Sequence, residues 1–215
     1  GSAALASLTG CGPDLVYLPE TDFDMERFLA DVKAVYDQSG NCLVAVSEGI
    51  HYADGTFVSE AKTSATDGFG HAQLGGLASL LAQVVKEKTG AKVRGIELSL
   101  LQRCGAHLAS ETDIEEAVMS GKAAVENAVN GITDKMVGFE RSYEDGQYVC
   151  KTKLLPLTDV ANTEKKVPIE WINVAHNGVE KPFIDYVLPL IQGEPKLPKE
   201  DSLPRFAKLK KVLVK

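Results

Sequence analysis

The hydrophobic positions along this chain switch repeatedly between two periods. Short aliphatic runs at Asp14–Leu18 and Leu43–Val46 read as strands, and the unbroken β-branched character of the second suits burial on both faces. Between them Phe23, Phe28, Val32 and Val35 recur at helical spacing. A helix is therefore predicted from about Asp24 to Gln38, capped by Thr21 or Asp22 and stopped by Ser39-Gly40-Asn41. Leu74–Thr89 carries a wide apolar face, a lysine-bearing end and the terminator Gly90, and Val93–Leu98 follows as a third strand. Ser110–Asp113 opens a helix to about Asn130, with Thr112 as the cap and Glu115 completing a capping box. Lys135–Arg141 and Gln147–Leu155 flank Tyr143-Glu144-Asp145-Gly146, the spacing of a hairpin with a tight turn. Lys181–Ile191 reads as a short helix broken near Pro189, and Pro195, Pro198 and Pro204 mark an irregular tail.

Strands alternating with long helices predict an α/β fold: a mainly parallel open sheet with flanking helices and right-handed crossovers, plus a carboxy-terminal hairpin and helix. Residues 1–215 are read as one domain, within which the polar, glycine-rich stretch 51–69 is expected to be a flap or insertion loop. A chain of 215 residues, 44% hydrophobic and 25% charged, is large enough for one good core.

Charge narrows the partners. A net charge of −7 argues against a general nucleic-acid or membrane-surface role, and no apolar run approaches the length of a membrane span. Cys11, Cys42, Cys104 and Cys150 are scattered without CxxC or histidine spacing, so they read as reduced, packed thiols of a cytosolic protein rather than zinc ligands. The chain opens Gly1-Ser2, which reads as a cloning remnant, and Ala3–Leu8 reads as the tail of a helix. The expectation is a portion of something longer.

Two segments carry the candidate chemistry, CLVAVSEG at Cys42–Gly49 and RGIELSLLQRCG at Arg94–Gly105. Ligands of open α/β sheets sit beyond the carboxyl ends of the strands. The first segment delivers Glu48 there, and a carboxylate accepts hydrogen bonds from hydroxyls. The second has Arg94 at its start and Arg103 at its exit, and a guanidinium fork matches two phosphate oxygens. Together they suit a sugar phosphate. The alternatives are a cap or surface charge for Glu48 and solvated arginines for the other two. Arg94 and Arg103 lie far apart along one extended segment, so sharing one phosphate needs an intervening turn or a second subunit. The glycines of Gly70–Gly76 match neither a P-loop nor a dinucleotide fingerprint, His51 and His176 lack metal-ligand spacing, and no GxSxG motif is present.

CLVAVSEGI, VVKEKTGAKVR and IELSLLQRCGAHLASETDIEEA, in that order, resemble the sugar-phosphate half of the phosphofructokinases. KMVGFER, LTDVANTEKKVP, FIDYVLPLIQGEP and PRFAKLKKV are most similar to the diphosphate-dependent branch, and the resemblance runs from about Ala3 to Lys215. It implies that Glu48 binds the hydroxyls of fructose 6-phosphate, that Arg103 binds its 6-phosphate, and that Arg94 reaches the 6-phosphate in a neighbouring subunit's site. A homo-oligomer is implied with it. One departure stands out: where many members place a histidine or tyrosine three residues before the QR arginine, this chain has Leu100, and His107 is a conceivable substitute.

The resemblance also implies what the chain lacks. The family's glycine-rich donor loops, its TIDND-like segment with the general base and its MGR-type sugar contact have no counterpart here. Phosphoryl transfer needs a positioned donor, a metal ion and a proton acceptor. The expectation is thus the carboxy-terminal, acceptor side of a cytoplasmic glycolytic enzyme that makes fructose 1,6-bisphosphate from fructose 6-phosphate and diphosphate. Mg²⁺ ligands and catalytic residues are expected outside the chain, which alone is expected to be inactive. An ATP-dependent enzyme of the same family and a non-catalytic sugar-phosphate-binding regulatory subunit are the alternatives.

Overall fold

The computed structural model describes residues 12–59, 76–98, 100, 104–206, 208 and 210–213. In chain order its elements are β1 (Leu15–Tyr17), α1 (Met25–Ser39), β2 (Val44–Val46), α2 (Leu77–Thr89), α3 (Glu111–Val129), β3 (Lys135–Glu144), β4 (Gln147–Pro156), α4 (Leu157–Val160), α5 (Lys181–Val187), β5 (Lys199–Glu200) and β6 (Leu203–Pro204). The fold is α/β. Where the sequence reading takes 1–215 as one domain, the chain divides into two compact units, Gly1–Ser99 with Asn162–Leu188, and Leu100–Ala161 with Pro189–Lys215.

In the first unit β1 and β2 pair in parallel, Leu15 opposite Val44 and Tyr17 opposite Val46. Side chains alternate across a strand. Leu15 and Tyr17 accordingly join Phe23, Phe28 and Val32 in the main core, and Val16 and Leu18 pack with Ile172 on the other side. Burial on both faces, expected of Leu43–Val46, belongs instead to β1. The residues of β2 are half-buried and Leu43 is exposed.

The cap of helix α1 lies two or three residues beyond the predicted ones. Asp24 takes the cap position in extended conformation and its carboxylate accepts from Arg27 N at 2.9 Å. Thr21 is buried and Asp22 lies within 4.0 Å of His51 Nδ1, so neither serves. Gly40, at φ 75°, closes the helix in the left-handed conformation that glycine adopts without strain. Leu77, Leu81 and Val85 recur every fourth residue on α2 and bury one stripe against the same core.

The described part of the proposed flap or insertion loop is residues 51–59. It is anchored by Ile50 and Val58, which rank among the largest fully buried side chains, and by a bridge between His51 and Phe57. Residues 60–69 lie outside the described residues. Val93–Leu98 forms no strand: it is pinned to the first turn of α2, through contacts given below, instead of entering a ladder.

In the second unit the cap of α3 is Ser110 rather than Thr112. Ser110 Oγ accepts from Asp113 N at 3.1 Å and donates to Leu190 O at 2.6 Å. Thr112 Oγ1 is directed to Gln192 O at 3.2 Å. The hairpin forms as expected, with ten paired residues in each strand from Lys135 opposite Pro156 to Glu144 opposite Gln147. Asp145 (φ 50°) and Gly146 (φ 78°) supply the two positive φ angles of the tight turn.

Candidate functional site

Glu48 stands where the sequence places it, in the turn that leaves the carboxyl end of β2. Ser47 N donates to Tyr17 O at 3.1 Å, so the parallel pairing extends to the edge of the turn. Ile50 N then donates to Ser47 O at 3.3 Å, and Gly49 N to Ser47 Oγ at 3.4 Å. With Ile50 fully buried just beyond, the turn is fastened on both sides while the Glu48 side chain is exposed. A carboxylate so placed is free to accept from a ligand's hydroxyls in the region where α/β sheets bind ligands.

Arg94 is exposed in the segment leaving α2, next to Val93, which packs on the core. The next residues fix the backbone. A Cβ on Gly95 would lie 2.5 Å from the carbonyl oxygen of Ala78, so only glycine fits there without displacing main chain. Glu97 Oε1 accepts from Ala78 N at 2.9 Å and Ser79 N at 3.4 Å, satisfying amides that the helix itself leaves open. Arg94 is thereby presented to solvent from a clamped stretch of chain. Glu48 and Arg94 belong to the same compact unit.

Arg103 lies outside the described residues. Leu100 is 69% exposed, and His107 sits exposed in a single 3₁₀ turn at Ala106–Leu108.

The sequence reading missed the polar groups that hold the rim of the parallel pair. Glu20, beyond β1, accepts from Val167 N at 2.9 Å through Oε1, and its Oε2 is buried with no hydrogen-bond partner among the described residues. Asp31 on α1 accepts from Tyr17 Oη and from Asn177 Nδ2, both at 2.9 Å. Burial first, and this bond to Asp31 second, push the Tyr17 phenol well above its usual range. Asn173 and Asn177 brace each other: Asn173 Oδ1 accepts from the amides of Asn177 and Gly178, and Asn173 Nδ2 donates to Asn177 Oδ1. The only signal in the sequence was the Asn-rich, glycine-ended loop of residues 173–178, a composition that turns favour.

Among the described residues no group of three histidine, cysteine or carboxylate side chains converges to hold a metal ion, and no helix is long and apolar enough to cross a membrane. The Mg²⁺ implied by the resemblance therefore finds no fitting ligand set among them.

The chain is of the α/β class, with an exposed carboxylate beyond the carboxyl end of a parallel strand pair. Comparison with known proteins narrows it. A model of the phosphofructokinase family matches residues 1–128. A pyrophosphate--fructose 6-phosphate 1-phosphotransferase of Xanthomonas campestris pv. campestris is 44% identical over 99% of this chain and 51% of its own length. The pyrophosphate-dependent phosphofructokinase of Marinobacter aquaeolei superposes with a TM-score of 0.79 at 35% identity, covering 99% of this chain and 50% of that one. That of Nitrosospira multiformis gives 0.75 at 36%, covering 93% and 46%. The chain belongs to the phosphofructokinase family, and it spans about half the length of the curated relatives it matches.

Proposed function

We propose that this chain carries the fructose 6-phosphate side of a diphosphate-dependent 6-phosphofructokinase. The observation that carries the reading is the relative from Xanthomonas campestris, named for that reaction and aligned along nearly the whole chain. In this reading Glu48 accepts hydrogen bonds from the sugar hydroxyls and Arg103 pairs with the 6-phosphate. Arg94 reaches the 6-phosphate of a neighbouring subunit's site in a homo-oligomer. The exposed turn carrying Glu48 and the clamped backbone under Arg94 support these roles, since a binding group whose backbone is fixed loses less entropy on engaging its ligand.

The reaction transfers the terminal phosphoryl group of diphosphate to the 1-hydroxyl. The new C–O–P linkage forms as the P–O–P bond breaks, phosphate leaves, and the hydroxyl proton passes to a base outside these residues. Mg²⁺ would neutralise charge on the phosphates, and its ligands are expected outside this chain. The same chemistry runs in reverse with phosphate as acceptor, in a cytoplasmic glycolytic setting.

A phosphorus NMR titration with fructose 6-phosphate and Mg²⁺, followed by separate additions of diphosphate and ATP, tests the reading beside Arg103→Ala and Glu48→Gln. The expected result is a shift of the sugar-phosphate resonance that both variants weaken, without turnover by this chain. Formation of fructose 1,6-bisphosphate would show that these residues are catalytically sufficient and overturn the acceptor-side reading. A resonance unmoved by the chain would remove the sugar-phosphate site from it.

A further inference from the structure

The two strands of the parallel pair empty onto a common edge. Because β1 and β2 run in the same direction, the segments that leave them, residues 18–24 and 47–52, emerge side by side. They are joined twice. Phe23 N donates to His51 O at 2.8 Å, and Pro19 Cβ lies 3.5 Å from where a Cβ on Gly49 would stand. Glu48 and His51 are three positions apart on one of these segments, and Asp22 is on the other.

His51 is anchored through one ring nitrogen. Nδ1 lies 3.1 Å from Tyr52 O and 4.0 Å from Asp22 Oδ1. A carbonyl oxygen only accepts, so Nδ1 carries the proton in that contact and the neutral ring keeps its lone pair on Nε2. Among the described residues Nε2 makes no hydrogen bond, and the side chain is 32% exposed. The backbone beneath the ring is held as well. His51 pairs with Phe57 in an antiparallel bridge, Tyr52 N donates to Thr56 O at 3.0 Å, and Ile50 just before is fully buried. A solvated surface histidine has no such fixed orientation, and a group held in place before its ligand arrives loses less entropy on binding.

The carboxyl edge of parallel strands is where such sheets hold ligands. A hydroxyl both donates and accepts, so it pairs with Nε2 in either protonation state of the ring. A phosphate oxygen at neutral pH only accepts, and pairs with the protonated ring alone. We propose that His51 is a second sugar-binding residue, its Nε2 holding a hydroxyl beside the one that Glu48 accepts from. The edge then recognises a sugar phosphate by two hydroxyls rather than one, with Asp22 and Tyr52 O acting as positioning groups behind the ring. This role rests on the sugar-phosphate reading of Glu48.

The test titrates the full 215-residue chain with fructose 6-phosphate and follows the ligand's phosphorus resonance together with the protein's imidazole proton resonances. The chain has four histidines, and His51→Gln identifies the ring signal of residue 51 by its loss. Inorganic phosphate is titrated in parallel. The expected result is a His51 ring signal that moves with fructose 6-phosphate and not with inorganic phosphate. His51→Leu should weaken binding about three- to tenfold, the worth of one hydrogen bond, and His51→Gln, which keeps a hydrogen-bonding group, should recover most of the loss. The ring signal of the unaltered chain reads the contact even if His51→Leu fails to fold. A phosphorus resonance that moves while the His51 ring signal stays fixed overturns this role and leaves that of Glu48 intact. Movement of the ring signal with inorganic phosphate assigns Nε2 to the phosphate and overturns the hydroxyl contact. If neither resonance moves, the sugar-phosphate reading fails and this role falls with it.

Discussion

Tyr17 Oη on β1 and Asn177 Nδ2 from the distant return segment both donate to Asp31 Oδ2 on α1, each at 2.9 Å. One carboxylate oxygen thus ties a strand, a helix and a loop, and Val16 N adds a main-chain bond of 2.9 Å to Asn177 O. Because the phenol is raised in the folded state, its stabilising contribution is complete below the unfolded value near pH 10 and is lost as pH rises beyond it. Tyr17→Phe should lower stability by about 1 kcal/mol near neutrality, the net worth of such a bond. It should also flatten the loss between pH 9 and 11, on the order expected when that titration is removed. Thermal melts across this range decide the matter, and parallel curves for both proteins would refute the coupling.

Gly95 and Glu97 act on α2 from one short segment. Gly95→Ala drives a methyl into the Ala78 carbonyl and should cost about 1–3 kcal/mol, as overpacking against fixed atoms does. Glu97→Ala removes the cap and should cost about 1 kcal/mol. Urea denaturation of each variant is the measurement. A Gly95→Ala protein as stable as the parent would show that the segment does not sit on the helix.

Cys42 is half-buried, and burial, with Asp14 close by, raises its thiol to about 11. Cys104 is exposed. Alkylation at pH 8 should therefore modify Cys104 well before Cys42, because the thiolate is the nucleophile. The rate at Cys42 should rise steeply only toward pH 11. Peptide mapping after timed iodoacetamide exposure reads both rates, and rapid labelling of Cys42 at pH 8 would contradict the shielding.

Tyr148 links the hairpin to the buried carboxylate of Glu116, and Arg141 lies 5.0 Å over its ring. Tyr148→Phe keeps the ring and removes the donor. It should destabilise the second unit by about 1–2 kcal/mol and speed amide exchange along α3. Unchanged exchange in α3 would show that the helix is held by something else.

The sequence was most legible where local chemistry decides the outcome. Helical spacing located α1 and α2, Gly40 and Gly90 marked their ends, and Asp145-Gly146 announced the hairpin, because each depends on residues within a few positions of one another. The position of Glu48 was legible for the same reason: an aliphatic run ending in Glu-Gly places a side chain at a strand exit wherever the strand lies. The caps of α1 and α3 were misplaced by two or three residues, since several side chains there are chemically able to cap. The choice fell to Asp24 and Ser110 once Thr21 was buried and Thr112 bonded to Gln192.

Tertiary structure decided the rest. Residues 93–98 have the composition of a strand, yet a strand exists only where a neighbour supplies its hydrogen bonds, and here the helix terminus of α2 takes the segment instead. The polar run after Ile50 reads as a flap from its composition, while Ile50 and Val58, eight positions apart, join the same core, a fact invisible to periodicity. The carboxylates of Glu20 and Asp31 found partners 147 and 146 positions away, respectively, separations that no local pattern encodes. By itself the sequence determined the α/β class, the family resemblance and the place of Glu48. Which amides, carboxylates and apolar side chains find partners among the described residues depended on long-range packing.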